Sequence, residues 1–176
     1  PRLQASFAGV FNIMAKPYGA YPTSTRADDF GFVMAALSLD FEGADMTSND
    51  NDYNWFSTAN EWSNRNPNYA NPFIRYKVPY TQIGLANDLI ASLPSETDDA
   101  TVLNTIAQCR VVRAFDYMAL APYFQFGYAT AADQPCVPLL KDGVDFTDNP
   151  RATVAEVYDY VITELTEAIA QLEQAN

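Results

Sequence analysis

Five aromatic residues, Tyr53, Trp55, Phe56, Trp62 and Tyr69, fall inside one polar stretch, residues 44 to 71. The run Thr47-Ser48-Asn49-Asp50-Asn51-Asp52-Tyr53-Asn54-Trp55-Phe56 surrounds the first three with amides and carboxylates. Rings flanked by such groups suit a ligand with flat apolar C–H faces edged by hydroxyls, which is the surface of a sugar. On this reading Trp55, Tyr53 and Trp62 are stacking platforms, while Asn54, Asp50, Asp52 and Asn60 orient hydroxyls. The plainer alternative is that the rings anchor a long loop onto the protein, because Trp is mostly covered in folded chains. An ordered loop of this length is usually functional.

The same residues come close to a calcium loop. Asp50, Asp52, Asn54 and Glu61 occupy its first, third, fifth and twelfth positions, but the sixth needs a glycine for its sharp turn and holds Trp55. No metal site is expected there. Histidine is absent, which removes Ser-His-Asp and Cys-His catalysis and His-ligated metals. Twenty-two acids offer many carboxylates for glycoside hydrolysis, yet no motif selects a pair. Neither a catalytic residue nor a cofactor is expected. Cys109 and Cys136 are too few for a disulfide framework; Cys109 reads as a small hydrophobe in an apolar helix, and a bridge between the two stays open. Ten basic residues against 22 acidic ones give a formal charge of −12, and the bases are scattered. Nucleic acid is excluded as a partner for want of a basic footprint.

The elements that must position the loop are helices. The chain has 176 residues, 48% of them hydrophobic and 14% aromatic, enough for the core of one domain or a piece of a larger one. Apolar spacing predicts five helices and no alternating strand. The first spans 3–14. The second spans 26–42 and is stopped by Gly43. The third starts after Asn71 and stops before Pro94, with Pro79 expected to kink or restart it. Asn87 falls on its apolar stripe and needs partners inside.

The fourth, about 99–121, is apolar almost all round, which suits the centre of a bundle. Its Arg110 and Arg113 are expected to pair with an acid or to cap a carbonyl end. An irregular stretch with four prolines covers 122–150. The last helix opens on a capping box, Thr153-Val154-Ala155-Glu156. Its acids, Glu156, Asp159, Glu164, Glu167 and Glu173, read as a solvated face. The result is an all-α layer of helix hairpins with two long irregular loops. No apolar run is long enough for a transmembrane helix. The chain opens on Pro1-Arg2-Leu3 as though inside a folded domain, so any targeting segment is expected to have been removed.

Several stretches resemble the SusD/RagB family of outer-membrane nutrient-binding lipoproteins. Ala107-Gln108-Cys109-Arg110-Val111-Val112-Arg113-Ala114-Phe115-Asp116-Tyr117 is similar to that family's "RA-x-x-Y" helix, followed by Phe126-Gly127 and Val137-Pro138-Leu139. Pro150-Arg151-Ala152-Thr153-Val154-Ala155-Glu156-Val157-Tyr158 resembles its "P-R-x-T-V-x-E-V-Y" helix start. Tyr76 through Ile90 resembles its "Y-x-x-I-x-x-A-N" helix, and Asp40 through Met46 the segment before its variable loop.

The resemblance implies a SusD-like, tetratricopeptide-like fold and a cell-surface protein of Bacteroidetes-type bacteria. Such a protein is held to the outer membrane by a lipid anchor and partnered with a SusC-like TonB-dependent transporter. It implies capture of oligosaccharides or, in the RagB branch, peptides, without catalysis. Family members run to several hundred residues and carry a lipid-bearing cysteine not found in this chain. Residues 1–176 therefore look like the amino-terminal portion of a larger domain. A helical-repeat adaptor that binds only protein is the alternative.

Overall fold

The computed structural model describes residues 2–17, 29–47, 56, 65–141 and 149–176. The described elements are α1 (Arg2–Asn12), a 3-10 turn (Ile13–Ala15), α2 (Gly31–Asp40), α3 (Ala70–Ala91), α4 (Ala100–Phe124), α5 (Tyr128–Ala131), β1 (Pro135–Pro138), β2 (Arg151–Thr153) and α6 (Val154–Ala175). The fold is all-α, as expected, with one two-stranded antiparallel pair among the described residues. That pair corrects the expectation of no strand. Runs of four and three residues are too short to show an alternating pattern. Among the described residues no helix is long and apolar enough to cross a membrane.

The chain divides into two compact units, residues 11–78 and residues 1–10 with 79–176. In the first, Ala35, Ile74 and Val78 form a small core with Phe32 and Ala70 against it. Helix α2 starts at Gly31, later than the predicted 26. Gly31 has a left-handed φ of 59°, and a Cβ there would lie 2.0 Å from the Met14 carbonyl oxygen. Only glycine fits that turn.

In the second unit α4 packs chiefly against α6. Its main core gathers Ile83, Tyr117, Leu120, Val137, Val154 and Val157. A second cluster docks the α1 stripe Leu3, Phe7 and Val10 onto Ala86, Leu89, Cys109 and Val112. The Gln82 amide donates to the Val10 carbonyl at 2.8 Å and fixes that end of the stripe. Both cysteines are free and buried, which settles the open pairing. Burial pushes the Cys109 thiol up to about 11, as for an inert filler.

Two prolines lie inside continuous helices, so Pro79 does not restart its helix. Helix α3 runs through Pro79 without interruption, and α4 runs through Pro122 to Phe124. An internal proline costs about 3 kcal/mol. Burial of Ile74, Val78 and Ile83 on either side of Pro79 outweighs it. The capping box forms as its sequence demands. The Thr153 hydroxyl accepts from the Glu156 amide at 3.2 Å, and the Glu156 carboxylate accepts from the Thr153 amide at 2.7 Å.

Candidate functional site

The six residues that carry the sequence-based site, Trp55, Tyr53, Asn54, Trp62, Asp50 and Asp52, lie outside the described residues. So do Asn60 and Glu61. What is described is the stem that holds their loop. Glu42, just after α2, takes Arg75 of α3 at 2.7 Å and Arg65, at the loop's far end, at 3.6 Å. Arg75 also donates to the Ser38 hydroxyl at 2.8 Å. One carboxylate thus ties both ends of the loop to the helices that flank it.

Phe56 stacks on Phe41 with ring centroids 5.0 Å apart and planes 15° from parallel. Its φ of 64° lies in the left-handed region, where a bulky residue is strained by roughly 1–3 kcal/mol. The stacked ring offsets part of that cost. Phe56 is therefore an anchor, as the plainer reading supposed. Tyr69, the last ring of the stretch, is exposed.

The second unit contains a polar network that the sequence foreshadowed only in part. Arg113, 1% exposed, donates from Nε to Glu164 at 2.8 Å and from Nη1 to the Asn87 side-chain oxygen at 2.8 Å. Arg110 reaches Glu164 at 2.8 Å and Glu167 at 2.6 Å. The expected pairing of both arginines and the internal partners of Asn87 are thus found. Glu164, expected in water, is instead buried between the two guanidiniums. Its step from Val157 and Val161 to Ala168 puts it on the inward stripe of α6, a signal the sequence did contain.

The same network fastens the segment after β1. Asn87 donates to the Leu140 carbonyl at 3.0 Å, the Leu140 amide donates to the Tyr117 oxygen at 2.6 Å, and Tyr80 donates to the Pro138 carbonyl at 2.6 Å. Burial pushes the Tyr117 phenol up, so it stays a neutral acceptor. Beside this segment a groove of about 900 Å³ runs along α6, lined among others by Arg110, Lys141, Arg151, Asp159, Tyr160 and Glu167. The Lys141 ammonium lies 5.8 Å from the centre of the Tyr160 ring. The groove offers donors and acceptors beside a ring, and sequence spacing gave no sign of it. Among the described residues no cluster of acids and thiols is placed to hold a metal.

A family model described as "Starch-binding associating with outer membrane" matches residues 20–175. The chain belongs to the SusD-like family.

Solved structures agree in fold. A SusD-like carbohydrate binding protein from Bacteroides vulgatus superposes with a TM-score of 0.80 at 20% identity, over 97% of this chain and 35% of its own. A SusD superfamily protein from Bacteroides thetaiotaomicron gives 0.66 at 17% identity, over 97% and 36%. A laminarin binding SusD-like protein gives 0.65 at 18% identity, over 97% and 33%. This chain thus spans about a third of the length of the solved SusD-like structures it matches. No curated protein matches it.

Proposed function

We propose that this chain is the amino-terminal portion of a larger SusD-like domain that captures oligosaccharides at the cell surface. In this reading the captured glycan passes to a SusC-like TonB-dependent transporter in the outer membrane, and the protein performs no catalysis. The observation that carries it is the family match over residues 20–175, whose description joins starch binding to the outer membrane. Support for the class of ligand comes from a similarly folded protein described as laminarin binding. The ligand contacts are assigned to the 47–64 loop: Trp55 stacks on the sugar, Tyr53 and Trp62 assist, and Asn54, Asp50 and Asp52 take hydroxyls.

The stem geometry fits this division of labour. Phe56 and Glu42 hold the stem of the loop. A sugar stacked on an indole buries apolar area at little rotamer cost, so one ring outweighs any single hydroxyl contact.

The test is a binding screen of the native protein against starch oligosaccharides, laminarin and a peptide panel, with purification from membranes in parallel. The expected result is binding to at least one glucan, no hydrolysis products, and co-purification of a large β-barrel subunit. Binding to peptides alone would move the protein to the RagB branch, and turnover of a glycan would contradict the non-catalytic role.

A further inference from the structure

The groove along α6 is lined by two walls of opposite charge. On one, α6 presents Glu156, Asp159, Thr163 and Glu167, which share a face by their three- and four-residue spacing. The other is the segment around the strand pair, where Lys141 follows β1 and Arg151 opens β2. The Asn149 side-chain amide donates to the Leu139 carbonyl at 2.6 Å and ties the two ends of that wall together. Toward α4 the charges are already spent, because Arg110 holds Glu167 and shares Glu164 with Arg113. Elsewhere they are not. Among the described residues neither Lys141 nor Arg151 forms an ion pair with Glu156 or Asp159, although all four line the groove. The Glu156 carboxylate takes the Thr153 amide and hydroxyl on one oxygen, Oε2.

Opposite charges that share a groove without pairing leave room for a group that accepts from one wall and donates to the other. A bare anion would meet Glu156 and Asp159, and a bare cation would meet Lys141 and Arg151. Lys and Arg only donate and an ionised carboxylate only accepts, whereas a hydroxyl does both. Hydroxyls between such walls form charge-assisted bonds on either side, each strengthening the next. The Tyr160 ring, held edge-on against Tyr117 with centroids 5.4 Å apart, supplies an apolar surface beside them. The volume, about 900 Å³, falls within the roughly 300–1,000 Å³ of small-ligand sites. We propose that this groove is a second sugar subsite, seating an uncharged, hydroxyl-rich unit of an oligosaccharide between Lys141 and Arg151 on one side and Asp159 and Glu156 on the other. It belongs to the other compact unit from the stem of the 47–64 loop and uses none of that loop's residues. This rests on reading the protein as an oligosaccharide binder.

Calorimetry and thermal melts of the native protein test it, with maltoheptaose, laminarihexaose and an oligogalacturonate as probes. Asp159→Ala and Lys141→Met are made in the Trp55→Ala background, so that the loop does not mask the groove. Both side chains are exposed and stand outside the core clusters. Arg151→Met gives the same readout should Lys141→Met fail to fold. The expected result is that Trp55→Ala still binds a neutral glucan and that each groove variant weakens this by roughly tenfold, with the melting temperature unchanged. A Trp55→Ala protein that binds nothing, or groove variants that bind as it does, overturns the groove alone. Tighter binding of the oligogalacturonate than of either glucan assigns the groove to anions and overturns it as well. So does an affinity loss that comes with a melting temperature lowered by several degrees, which makes these residues part of the fold. A parent that binds neither glucan overturns the oligosaccharide reading and the groove with it.

Discussion

Helices α4 and α6 pack against each other and are similar in length, 25 and 22 residues, yet α4 keeps its charges inside and α6 keeps most of its charges in water. Helix α6 is nearer the conventional pattern, although it buries Glu164 and exposes Ile162 and Ile169. Val154, Val157, Val161 and Ala168 face inward, while Asp159, Glu167 and Glu173 face water. Helix α4 buries Arg113 and Asp116 and exposes Val111, Phe115 and Met118. Helix α6 is stabilised mostly by its pattern, and no single outward charge matters much. Helix α4 depends on each inward charge finding a partner. Arg113 finds two, Glu164 and Asn87. Asp116 is 0% exposed, and neither carboxylate oxygen meets a hydrogen-bond partner among the described residues.

The largest expected effect breaks the matched charge. Arg113→Ala leaves Glu164 buried with one guanidinium fewer and should destabilise by about 3–5 kcal/mol in a denaturant titration. Glu167→Ala, at the half-exposed end of the same network, should cost less than about 1 kcal/mol. Equal costs would mean that burial does not set the value of these charges.

Asp116→Asn should act in the opposite direction. Burial raises the Asp116 carboxyl well above the usual carboxylate range. The unfolded chain releases this proton at a lower pH than the folded one. The group's contribution is therefore fully present below the unfolded pKa and is lost as pH rises through the folded one. Melting temperature should fall across that window in the parent. Asp116→Asn should flatten the slope and add on the order of 1–3 kcal/mol at neutral pH and above. A parent whose stability rises across that window would show that Asp116 has an ionised partner.

Smaller effects belong to α6. Thr153→Ala removes its cap and should cost about 1 kcal/mol by thermal melt. Glu156, held below the usual carboxylate range first by the Thr153 amide, contributes above its unfolded pKa and loses that contribution as pH falls through its folded one. Glu173→Ala, on the solvated face, should stay within about 0.5 kcal/mol. A cost like that of Arg113→Ala would erase the contrast between the two helices.

How much was legible follows the same divide. The capping box and the α6 stripe were plain because both are local, set by residues three and four apart. The apolar character of α4 and the need of its arginines for a partner were also plain. The identity of that partner was not. Glu164 lies 51 residues from Arg113 and was grouped with the solvated acids, although its place beside Val157 and Val161 pointed inward. The strand pair was missed because runs of four and three residues are too short to show an alternating pattern. The candidate loop was legible as a cluster of rings and amides, and the stem tether through Glu42 was not, since it joins residues far apart in sequence.

The central claim is that a ring of the 47–64 loop, Trp55 first, holds a sugar. Calorimetry of the native protein with its preferred oligosaccharide, comparing Trp55→Ala with the parent and paired with thermal melts, tests it most directly. The account predicts an affinity loss of about 1–3 kcal/mol, roughly 5- to 150-fold, with the melting temperature unchanged. Asn54→Ala should lose less, because water replaces part of an exposed hydrogen bond. Unchanged affinity together with a melting temperature lowered by several degrees would contradict the account and make Trp55 a core residue.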